Sequence, residues 1–411
     1  MTDNPNSIVL IGGGLAAAKT AETLRDRGYD GPLHLLTGEA HRPYERPPLS
    51  KDVLVGDKPP DSVHVHGPDF YTDHDIELIV GDPAVDIDRN SGAVTTRSGR
   101  SLPFDRLLLA TGAAPRQLPV TDDDLDGTLT LRTLDDARYL GERLRTAEHV
   151  TIVGAGWIGC EVATAARALD TEVTLVDPLA TPLQRVLGPE VGTVFADLHR
   201  DHGVELRLGV GVVDAKGTGQ AQQLTLSDQS TIDTNLVVVG IGVTPRTELA
   251  EKAGLEVDDG IVVDATLATG DGRIFAAGDV ANAWHPSYER HLRVEHWANA
   301  LNQGQTVAAN MLGAGQPYDR LPYFFSDQYD LGMEYVGHAV DWDQVVFRGD
   351  ADSREFIAFW LTRGQVVAAM NVNIWDVVDD LKRLIHSGDP VDPTRLADPT
   401  VLLAELASRA A

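Results

Sequence analysis

The sequence predicts an α/β fold of two dinucleotide-binding (Rossmann-like) domains with a C-terminal α+β domain. Two observations lead to this prediction: a strand, glycine turn and helix pattern occurs twice, and segments after about residue 321 alternate polar and apolar residues. The chain has 411 residues, enough for two or three packed domains. Hydrophobic residues make up 43% and charged residues 23%, which is typical of a folded globular protein.

The first copy of the pattern begins with the apolar segment 7–11, which leads into Gly12 and Gly14 and then a helical segment. In such a turn one glycine adopts a positive φ and another lets the backbone approach a pyrophosphate, which lies at the start of the helix. The next strand, Leu33–Leu36, is followed by Glu39, our candidate for a ribose contact although it comes slightly late.

The second copy begins with the strand His149–Val153, and Gly-Ala-Gly-Trp-Ile-Gly follows it over residues 154–159. Asp177 ends the next strand, about 20 residues past the glycines, where a carboxylate accepts a hydrogen bond from a ribose 2′-hydroxyl. Because it would repel a 2′-phosphate, Asp177 favours NAD(H) over NADP(H), unless Arg185 turns towards the site. An ordinary strand-end acid before Pro178 is the alternative. A single glycine turn also occurs in folds that bind nothing, whereas two copies in one chain favour binding.

Further buried strands are predicted to end at Thr111-Gly112, at Gly242 and at Gly278-Asp279. The order along the chain is therefore α/β, a second α/β, a return to the first, and then α+β. In the last part we expect an antiparallel sheet with helices near 375–386 and 401–410.

Composition excludes several classes of function. The 34 Lys and Arg against 62 Asp and Glu give a net charge of −28, which disfavours binding to nucleic acid or to an anionic membrane. Cys160 is the only cysteine, so one chain holds no disulfide, CxxC pair or cysteine-based metal site. The 13 histidines show no paired metal spacing, so we expect no metal site. The polar start, 1–6, and the lack of an apolar run of about 20 residues predict a cytoplasmic protein.

Two nucleotide sites in one chain suggest hydride transfer between two bound dinucleotides, and several segments make this suggestion specific. They are 42–51 (RPYERPPLSK), 110–112 (ATG), 154–161 (GAGWIGCE), 277–279 (AGD), 295–300 (EHWANA) and 325–328 (FSDQ). Together they resemble the FAD-dependent, NADH-using ferredoxin reductases of bacterial haem monooxygenases and ring-hydroxylating dioxygenases, whose fold is similar to that of glutathione reductase. The resemblance covers essentially the whole chain.

The resemblance implies that residues 1–112 and 244–320 form a discontinuous FAD-binding domain, 113–243 an NAD-binding domain and 321–411 the C-terminal α+β domain. It implies an adenine contact from the backbone of Ala84, a ribityl contact from Asp279 and a helix starting at Trp297 that points at the flavin. With the glycine turns, the expected cofactor-binding residues are Gly12, Gly14, Leu15, Glu39, Arg46, Lys51, Ala84, Thr111, Gly112, Arg132, Gly154, Gly156, Ile158, Gly159, Glu161, Asp177, Arg185, Gly242, Gly278, Asp279 and Trp297.

The resemblance also implies two catalytic residues, Lys51 and Glu161, with the lysine beside flavin N5. An ammonium paired with a carboxylate can donate a hydrogen bond to N5 and share a proton as the flavin changes charge. A surface lysine and an ordinary helix glutamate are the alternative. Tyr323 and Phe325 stand where relatives often carry tryptophans, and Gly38 stands where an acid often lies.

Because the chain has no dithiol, the electrons must leave the flavin for an external acceptor. The resemblance implies an iron–sulfur ferredoxin of the 2Fe–2S type, with NADH as the electron donor. Docking would need a basic patch, for which the candidates are Arg42, Arg290, His291, Arg293 and Arg320, unless these are only scattered solvated residues. A rubredoxin reductase and a flavin NADH oxidase are alternatives, and a binding module similar to apoptosis-inducing factor is a more remote one.

Overall fold

The computed structural model describes residues 5–119, 128–218 and 221–406, which form two compact units. Unit 1 takes the described residues up to 47, together with 59–114 and 243–320. Unit 2 takes the described residues of 48–58 and 115–242 and those from 321 onwards. The predicted division into three domains remains a prediction.

Unit 1 is built on a five-stranded parallel sheet. Its strands, in spatial order, are Ile274–Ala276, Arg106–Leu109, Ile8–Ile11, Leu33–Leu36 and Ile76–Ile79. The central strand Ile8–Ile11 is buried along its whole length, as expected for an apolar run inside a parallel sheet. Two long helices of this unit, Leu15–Asp26 and Trp297–Met311, pack against each other.

Shorter elements complete unit 1. Two three-stranded sheets are formed by Ala84–Asp88, Ala93–Thr96 and Ser101–Pro103 and by Ile261–Val263, Ala281–His285 and Arg290–Arg293. The strands Ala113–Pro115 and Val243–Pro245 pair where the chain leaves and re-enters this unit. Its short helices and 3₁₀ turns are Pro60–Val63, Phe70–Asp73, Glu248–Lys252 and Gly278–Val280.

Unit 2 contains a second five-stranded parallel sheet. Its strands, in spatial order, are Glu205–Leu208, Glu172–Asp177, His149–Val153, Leu236–Val239 and Thr128–Leu129. The helices of this region are Leu134–Leu144, Trp157–Ala168 and Gln184–Asp201, and an antiparallel sheet is formed by Val212–Thr218, Ala221–Leu226 and Thr231–Thr234. The turn Pro47–Ser50 leads into the short helix Asp52–Val55. This short helix packs on the helix Leu134–Leu144.

The rest of unit 2 is an antiparallel sheet with helices, as the alternating sequence predicts. The strands, in spatial order, are Tyr323–Gln328, Leu331–Gly337, Gln365–Val372, Glu355–Thr362 and Gln344–Asp350. The helices are Val378–Ser387, Pro393–Ala397 and Leu403–Leu406. Residues 407–410 of the predicted last helix, and residues 1–4 of the polar start, lie outside the described residues.

The predicted α/β class is confirmed, but three predicted strands are too long. The strand expected to reach Gly112 ends at Leu109, the one expected to reach Gly242 ends at Val239, and only Ile274–Ala276 forms a strand within the segment 271–279. In each case the chain must turn, because Gly112, Gly242 and Gly278 adopt φ values of +69°, +100° and +76° that a strand cannot contain. Within the described part of the chain, no helix is long and apolar enough to cross a membrane.

Candidate active site

The first glycine turn, in unit 1, leaves room for a ligand at the start of a helix. Gly12 has a φ of +147°, and a Cβ there would lie 2.1 Å from the carbonyl oxygen of Ala110, so only glycine fits. Gly14, which precedes the helix Leu15–Asp26, has no atom within 4 Å of where a Cβ would stand. No side chain caps this helix and its first turn contains no acid. Its N-terminal N–H groups can therefore donate hydrogen bonds to a pyrophosphate.

A second turn of unit 1 comes close to the same helix. The N–H of Gly278 donates to Oε1 of Gln303 at 2.8 Å, and a Cβ at Gly278 would lie 3.3 Å from that of Ala16. A Cβ at Gly304 would lie 2.6 Å from the carbonyl oxygen of Ala16, so the helices Leu15–Asp26 and Trp297–Met311 meet in close backbone contact. These small residues therefore place the first glycine turn beside the turn that carries the predicted ribityl contact.

Asp279 and Trp297, the predicted flavin contacts, belong to the same two segments of unit 1. Asp279 comes immediately after Gly278 and is half-buried. Trp297 is the first residue of its helix, which has no side-chain cap and no acid in its first turn. That helix end can therefore face developing negative charge.

Glu39, the predicted ribose contact, is held by two neighbours. It accepts hydrogen bonds from the hydroxyl of Tyr44 and from Nη2 of Arg46, the latter at 3.1 Å. Burial opposes the charge on Arg46, but Tyr44 and the Glu39 carboxylate keep the pKa of this guanidinium above its ordinary value. Arg46 therefore stays cationic beside Glu39, as a contact for an anionic ligand requires.

Three further predicted positions also lie in unit 1. The hydroxyl of Thr111 donates to the carbonyl of Arg246 at 2.7 Å, and the carbonyl of Gly112 accepts from the N–H of the same arginine. Ala84 opens the strand Ala84–Asp88, where it is half-buried. The structure thus uses Thr111 and Gly112 to secure a local turn.

The second glycine turn, in unit 2, also leaves no space for a Cβ at two of its glycines. Gly154 has a φ of +107°, and a Cβ there would lie 2.4 Å from the carbonyl oxygen of Gly240. A Cβ at Gly159 would lie 1.9 Å from the carbonyl oxygen of Gly154. Gly156 precedes the helix Trp157–Ala168, which has no side-chain cap and no acid in its first turn. Ile158 is 43% exposed on that first turn, which suits an apolar contact with a ligand.

Asp177 has a role in the structure that sequence reasoning missed. One carboxylate oxygen accepts from the N–H of Ala155 and the other from the N–H of Leu179, both at 2.8 Å. Because the strands His149–Val153 and Glu172–Asp177 run parallel in register, this acid comes level with the glycine turn and braces it. This role depends on how the two strands pair, which the sequence pattern alone does not give. Arg185 is exposed near the start of the helix Gln184–Asp201.

Two other predicted residues of unit 2 flank its parallel sheet. Arg132 lies just before the helix Leu134–Leu144, and its N–H donates to the Asp136 carboxylate at 3.0 Å. Gly242 has a φ of +100°, and its carbonyl accepts from the N–H of Arg116 at 3.0 Å.

Lys51 and Glu161, the predicted catalytic pair, form an ion pair within unit 2. Nζ of Lys51 lies 2.8 Å from Oε1 of Glu161, and the lysine side chain is 18% exposed whereas the glutamate is only 6% exposed. The hydroxyl of Ser50 donates to Oε2 of Glu161 at 2.5 Å, and that of Ser326 donates to Oε1 at 2.7 Å. Three donors thus compensate a buried carboxylate, which would otherwise be costly.

Sequence reasoning missed both serines. Ser50 precedes Lys51 directly, so its proximity follows once the lysine is placed. Ser326 lies in the strand Tyr323–Gln328, where Phe324, Ser326 and Gln328 are the buried positions. Polar residues on the buried face of a strand were the signal in the sequence, because such groups require partners.

One more carboxylate acts on Lys51. Burial raises the pKa of Asp327, and the negative charges of Glu161 and Asp52 raise it further, whereas Lys51 lowers it. The ring centre of Phe325 lies 5.9 Å from Nζ of Lys51. Lys51 therefore has an aromatic neighbour in Phe325.

Cys160 is the one residue whose side chain could bring thiol chemistry to the chain. Cys160 is fully buried in the helix Trp157–Ala168, and burial, assisted by Glu161 and Asp177, raises the pKa of its thiol well above the ordinary value. It is thus an inert packing residue. Among the residues the structure describes, no group of three or more His, Cys, Asp or Glu is placed to hold a metal ion.

The predicted basic patch is uneven. Arg290, His291 and Arg320 are exposed in unit 1. Arg293 is 12% exposed and forms ion pairs with Asp259 and Glu295, and Arg42 is half-buried. Of the five candidates, only the first three are therefore exposed to a partner.

Two protein families match the sequence. Residues 6–304 match the family described as pyridine nucleotide-disulphide oxidoreductase, and residues 323–407 match the family described as reductase C-terminal. The two matches together account for most of the chain.

Individual relatives are similar over nearly their whole length. The ferredoxin–NAD(+) reductase component of the anthranilate 1,2-dioxygenase system of Burkholderia cepacia is 39% identical, with 96% of this chain and 97% of that protein covered. Putidaredoxin reductase of Pseudomonas putida is 36% identical, with 100% and 98% covered. The reductase in a covalent putidaredoxin reductase–putidaredoxin complex superimposes with a TM-score of 0.93 at 35% identity, with 99% of each chain covered.

Proposed function

This chain belongs to the pyridine nucleotide-disulphide oxidoreductase family, and from that membership we propose that it is an NADH-dependent ferredoxin reductase of an oxygenase system. The observation that carries the proposal is the pair of glycine turns, each opening an uncapped helix with no acid in its first turn. One enzyme thereby has places for two dinucleotides, FAD and NAD(H).

We assign FAD to the first glycine turn and NAD(H) to the second. In unit 1, Gly12, Gly14 and Leu15 would hold the FAD pyrophosphate and Asp279 the ribityl chain, within a FAD-binding domain of residues 1–112 and 244–320. In unit 2, Gly154, Gly156 and Gly159 would hold the NAD pyrophosphate, within the domain 113–243. The open space at Gly14 supports this fit, because a phosphate group needs such a close approach to the backbone.

FAD, when bound, would supply a hydride acceptor at N5 and the release of single electrons, which is the chemistry that links NADH to an iron–sulfur protein. Lys51 and Glu161 would serve this chemistry at N5. Glu161, fixed by Ser50 and Ser326, holds the Lys51 ammonium, which can then donate a hydrogen bond and exchange a proton there. The remaining predicted residues, including Arg132, Arg185 and Trp297, would orient the two cofactors.

The electron acceptor we propose is a 2Fe–2S ferredoxin. Internal disulfide chemistry is excluded because Cys160 is the only cysteine and is buried. The ferredoxin is supported by the relatives named above, of which one is the ferredoxin–NAD(+) reductase component of a dioxygenase system and another is a putidaredoxin reductase. With a net charge of −28, the chain must meet an acidic ferredoxin through a local positive surface, for which Arg290, His291 and Arg320 are exposed.

The test is to purify the protein with FAD, reduce it with NADH and follow its reoxidation by stopped flow. Ferredoxin, rubredoxin and oxygen are supplied separately as acceptors. We expect ferredoxin to reoxidise the protein faster than rubredoxin or oxygen does. Faster reoxidation by rubredoxin or by oxygen would instead identify a rubredoxin reductase or an NADH oxidase, and a protein that takes up no FAD would contradict the proposal entirely.

For the cellular location we propose the cytoplasm, since the lone thiol needs no oxidising compartment.

A further inference from the structure

A line of buried side chains continues from Glu161 into the interior of unit 2. The hydroxyl of Ser326 donates to Glu161, and Nε2 of Gln328 lies 3.4 Å from that hydroxyl oxygen. Nε2 of His199 lies 3.1 Å from Oε1 of Gln328, and the hydroxyl of Tyr329 lies 3.3 Å from Nδ1 of His199. We call these five residues the donor chain. Ser326, Gln328 and His199 are almost fully buried.

The chemistry of each group fixes the direction of every hydrogen bond in the donor chain. An ionised Glu161 only accepts, so the single proton of the Ser326 hydroxyl points to it and that oxygen must accept from the amide of Gln328. The carbonyl of Gln328 then faces His199, whose Nε2 must carry a hydrogen. In a neutral imidazole Nδ1 is consequently the acceptor, and the Tyr329 hydroxyl, which also contacts Thr164, can donate its proton to it.

All four donors thus point towards the Glu161 carboxylate. Hydrogen bonds aligned in this way strengthen one another in a low-dielectric interior. The arrangement requires a neutral His199, and burial lowers the pKa of this histidine to about 4, with the nearby His202 lowering it and the Gln328 contact opposing. The alignment therefore persists over the neutral pH range.

The backbone of Tyr329 gives independent support. Tyr329 and Asp330 form the two-residue turn between the strands Tyr323–Gln328 and Leu331–Gly337, and Tyr329 has a φ of +55°. Bulky residues rarely adopt this left-handed conformation, which Gly or Asn usually takes in such turns. The tyrosine ring stacks on His202 with 3.8 Å between ring centres, and its hydroxyl reaches His199. These contacts offset the backbone cost.

We propose that His199 and Gln328 are positioning residues: through Ser326 they fix the Glu161 carboxylate in the orientation that holds the Lys51 ammonium. This inference rests on the proposed function, because it assigns the Lys51–Glu161 pair to hydride transfer. Neither residue touches Lys51, so their effect on the reaction passes entirely through the hydrogen bonds of the donor chain.

The first test compares two substitutions of the same histidine. His199→Phe removes both ring nitrogens, whereas His199→Gln keeps an N–H donor near the position of Nε2. With FAD content unchanged, we expect His199→Phe to slow flavin reduction by NADH about tenfold, and His199→Gln to restore most of that loss. His202→Phe is the matched control, since it keeps the ring stack and lies outside the donor chain. Wild-type rates in both His199 variants would overturn the inference.

The second test measures the protonation of His199 and does not depend on enzymatic activity. The ¹⁵N-histidine NMR signal of His199 is identified as the one that is missing from the spectrum of His199→Gln. In the wild-type protein this signal should show the Nε2–H tautomer, and the ring should stay neutral down to about pH 4. Gln328→Met should abolish this tautomer preference. A wild-type His199 in the Nδ1–H tautomer would overturn the inference.

If His199→Phe does not fold, Tyr329→Phe takes its place. Loss of the hydroxyl should weaken the preference for the Nε2–H tautomer and slow flavin reduction, and an unchanged tautomer with an unchanged rate would count against the donor chain. A wild-type protein that binds FAD but is not reduced by NADH contradicts the proposed function instead. The tautomer measurement is independent of that result, so the two failures are distinguishable.

Discussion

At the scale of single residues, Glu161 shows why the candidate site needs more than an ion pair. A lysine alone would leave one oxygen of this nearly buried carboxylate without a partner, a situation that costs about 1–3 kcal/mol or more for a charged group. Ser50 and Ser326 remove that cost and also fix the plane of the carboxylate. The lysine is therefore held by a group that cannot itself rotate freely.

The role of Lys51 can be tested by removing its charge. Lys51→Met keeps most of the side-chain volume but leaves no ammonium, so flavin reduction by NADH should slow about 100-fold, while FAD is retained. Stopped-flow absorbance of the flavin after mixing with NADH measures the rate.

The control for this experiment is Lys58→Met. Lys58 lies nearby in the same unit, is exposed and pairs only with Asp52 among the described ion pairs. Equal rates in wild type, Lys51→Met and Lys58→Met would remove Lys51 from the mechanism.

At the scale of elements, the two glycine turns separate what the fold needs from what a ligand needs. Gly12 and Gly159 have no space for a Cβ, because backbone carbonyls occupy it at 2.1 and 1.9 Å. Gly14 has open space and an ordinary φ of −103°. A glycine that the fold does not require, at the start of an uncapped helix, points to a requirement of the ligand.

Alanine substitutions should therefore act differently at the two positions of the first turn. Gly14→Ala should leave the melting temperature of the FAD-free protein unchanged within error but weaken FAD binding about tenfold or more, since the methyl group occupies the space for the pyrophosphate. Gly12→Ala should lower the free energy of unfolding by about 1–3 kcal/mol, because a carbonyl group must move. Thermal unfolding and FAD titration by fluorescence quenching measure the two effects. A Gly14→Ala protein with normal FAD affinity would argue against this assignment.

Elements of this kind could be predicted because they depend on local patterns. The strands Leu33–Leu36 and His149–Val153 lie where apolar runs predict them, and both helices begin directly after their glycines. The strands near Gly112, Gly242 and Gly278 were predicted too long, because hydrophobicity alone does not show where the backbone reverses. The donors Ser50 and Ser326 were missed, since they lie 111 and 165 residues from Glu161 and the buried strand pattern shows that Ser326 needs a partner without showing which one. Only the packing of unit 2 brings them together.

At the scale of the whole molecule, net charge and local charge act in opposite directions. A chain of −28 repels an acidic ferredoxin at long range, so the encounter depends on where its few exposed cations lie. Arg293, although predicted for this surface, is bound to Asp259 and Glu295. Its substitution would disturb the fold as well as the surface.

Arg290 offers the cleaner test. Arg290→Glu should lower kcat/KM for ferredoxin about threefold or more at low salt, with less effect at high salt, and should leave flavin reduction by NADH unchanged. Arg97→Glu, which makes the same charge change at another exposed arginine of unit 1, is the control. An equal loss in both variants would indicate a general effect of charge and no docking surface.

Stability should depend on pH through His199. The unfolded chain protonates this histidine at its ordinary pKa of 6.5, whereas the folded protein resists protonation until about pH 4. The unfolded state therefore binds more protons in this window, and the free energy of unfolding should fall by up to about 3 kcal/mol as the pH drops from 6.5 to 4. Urea unfolding at several pH values, compared between wild type and His199→Gln, isolates this contribution. Equal pH slopes in the two proteins would show that His199 is not held neutral.

The position of the single cysteine has a practical consequence. Because the sulfur of Cys160 is sealed within a helix–sheet interface and resists ionisation, maleimides and spin labels should leave the native protein unmodified. A cysteine introduced at an exposed residue such as Arg320 would then be the sole point of attachment. Fluorophores or nitroxides could be installed one at a time, without first engineering a cysteine-free background.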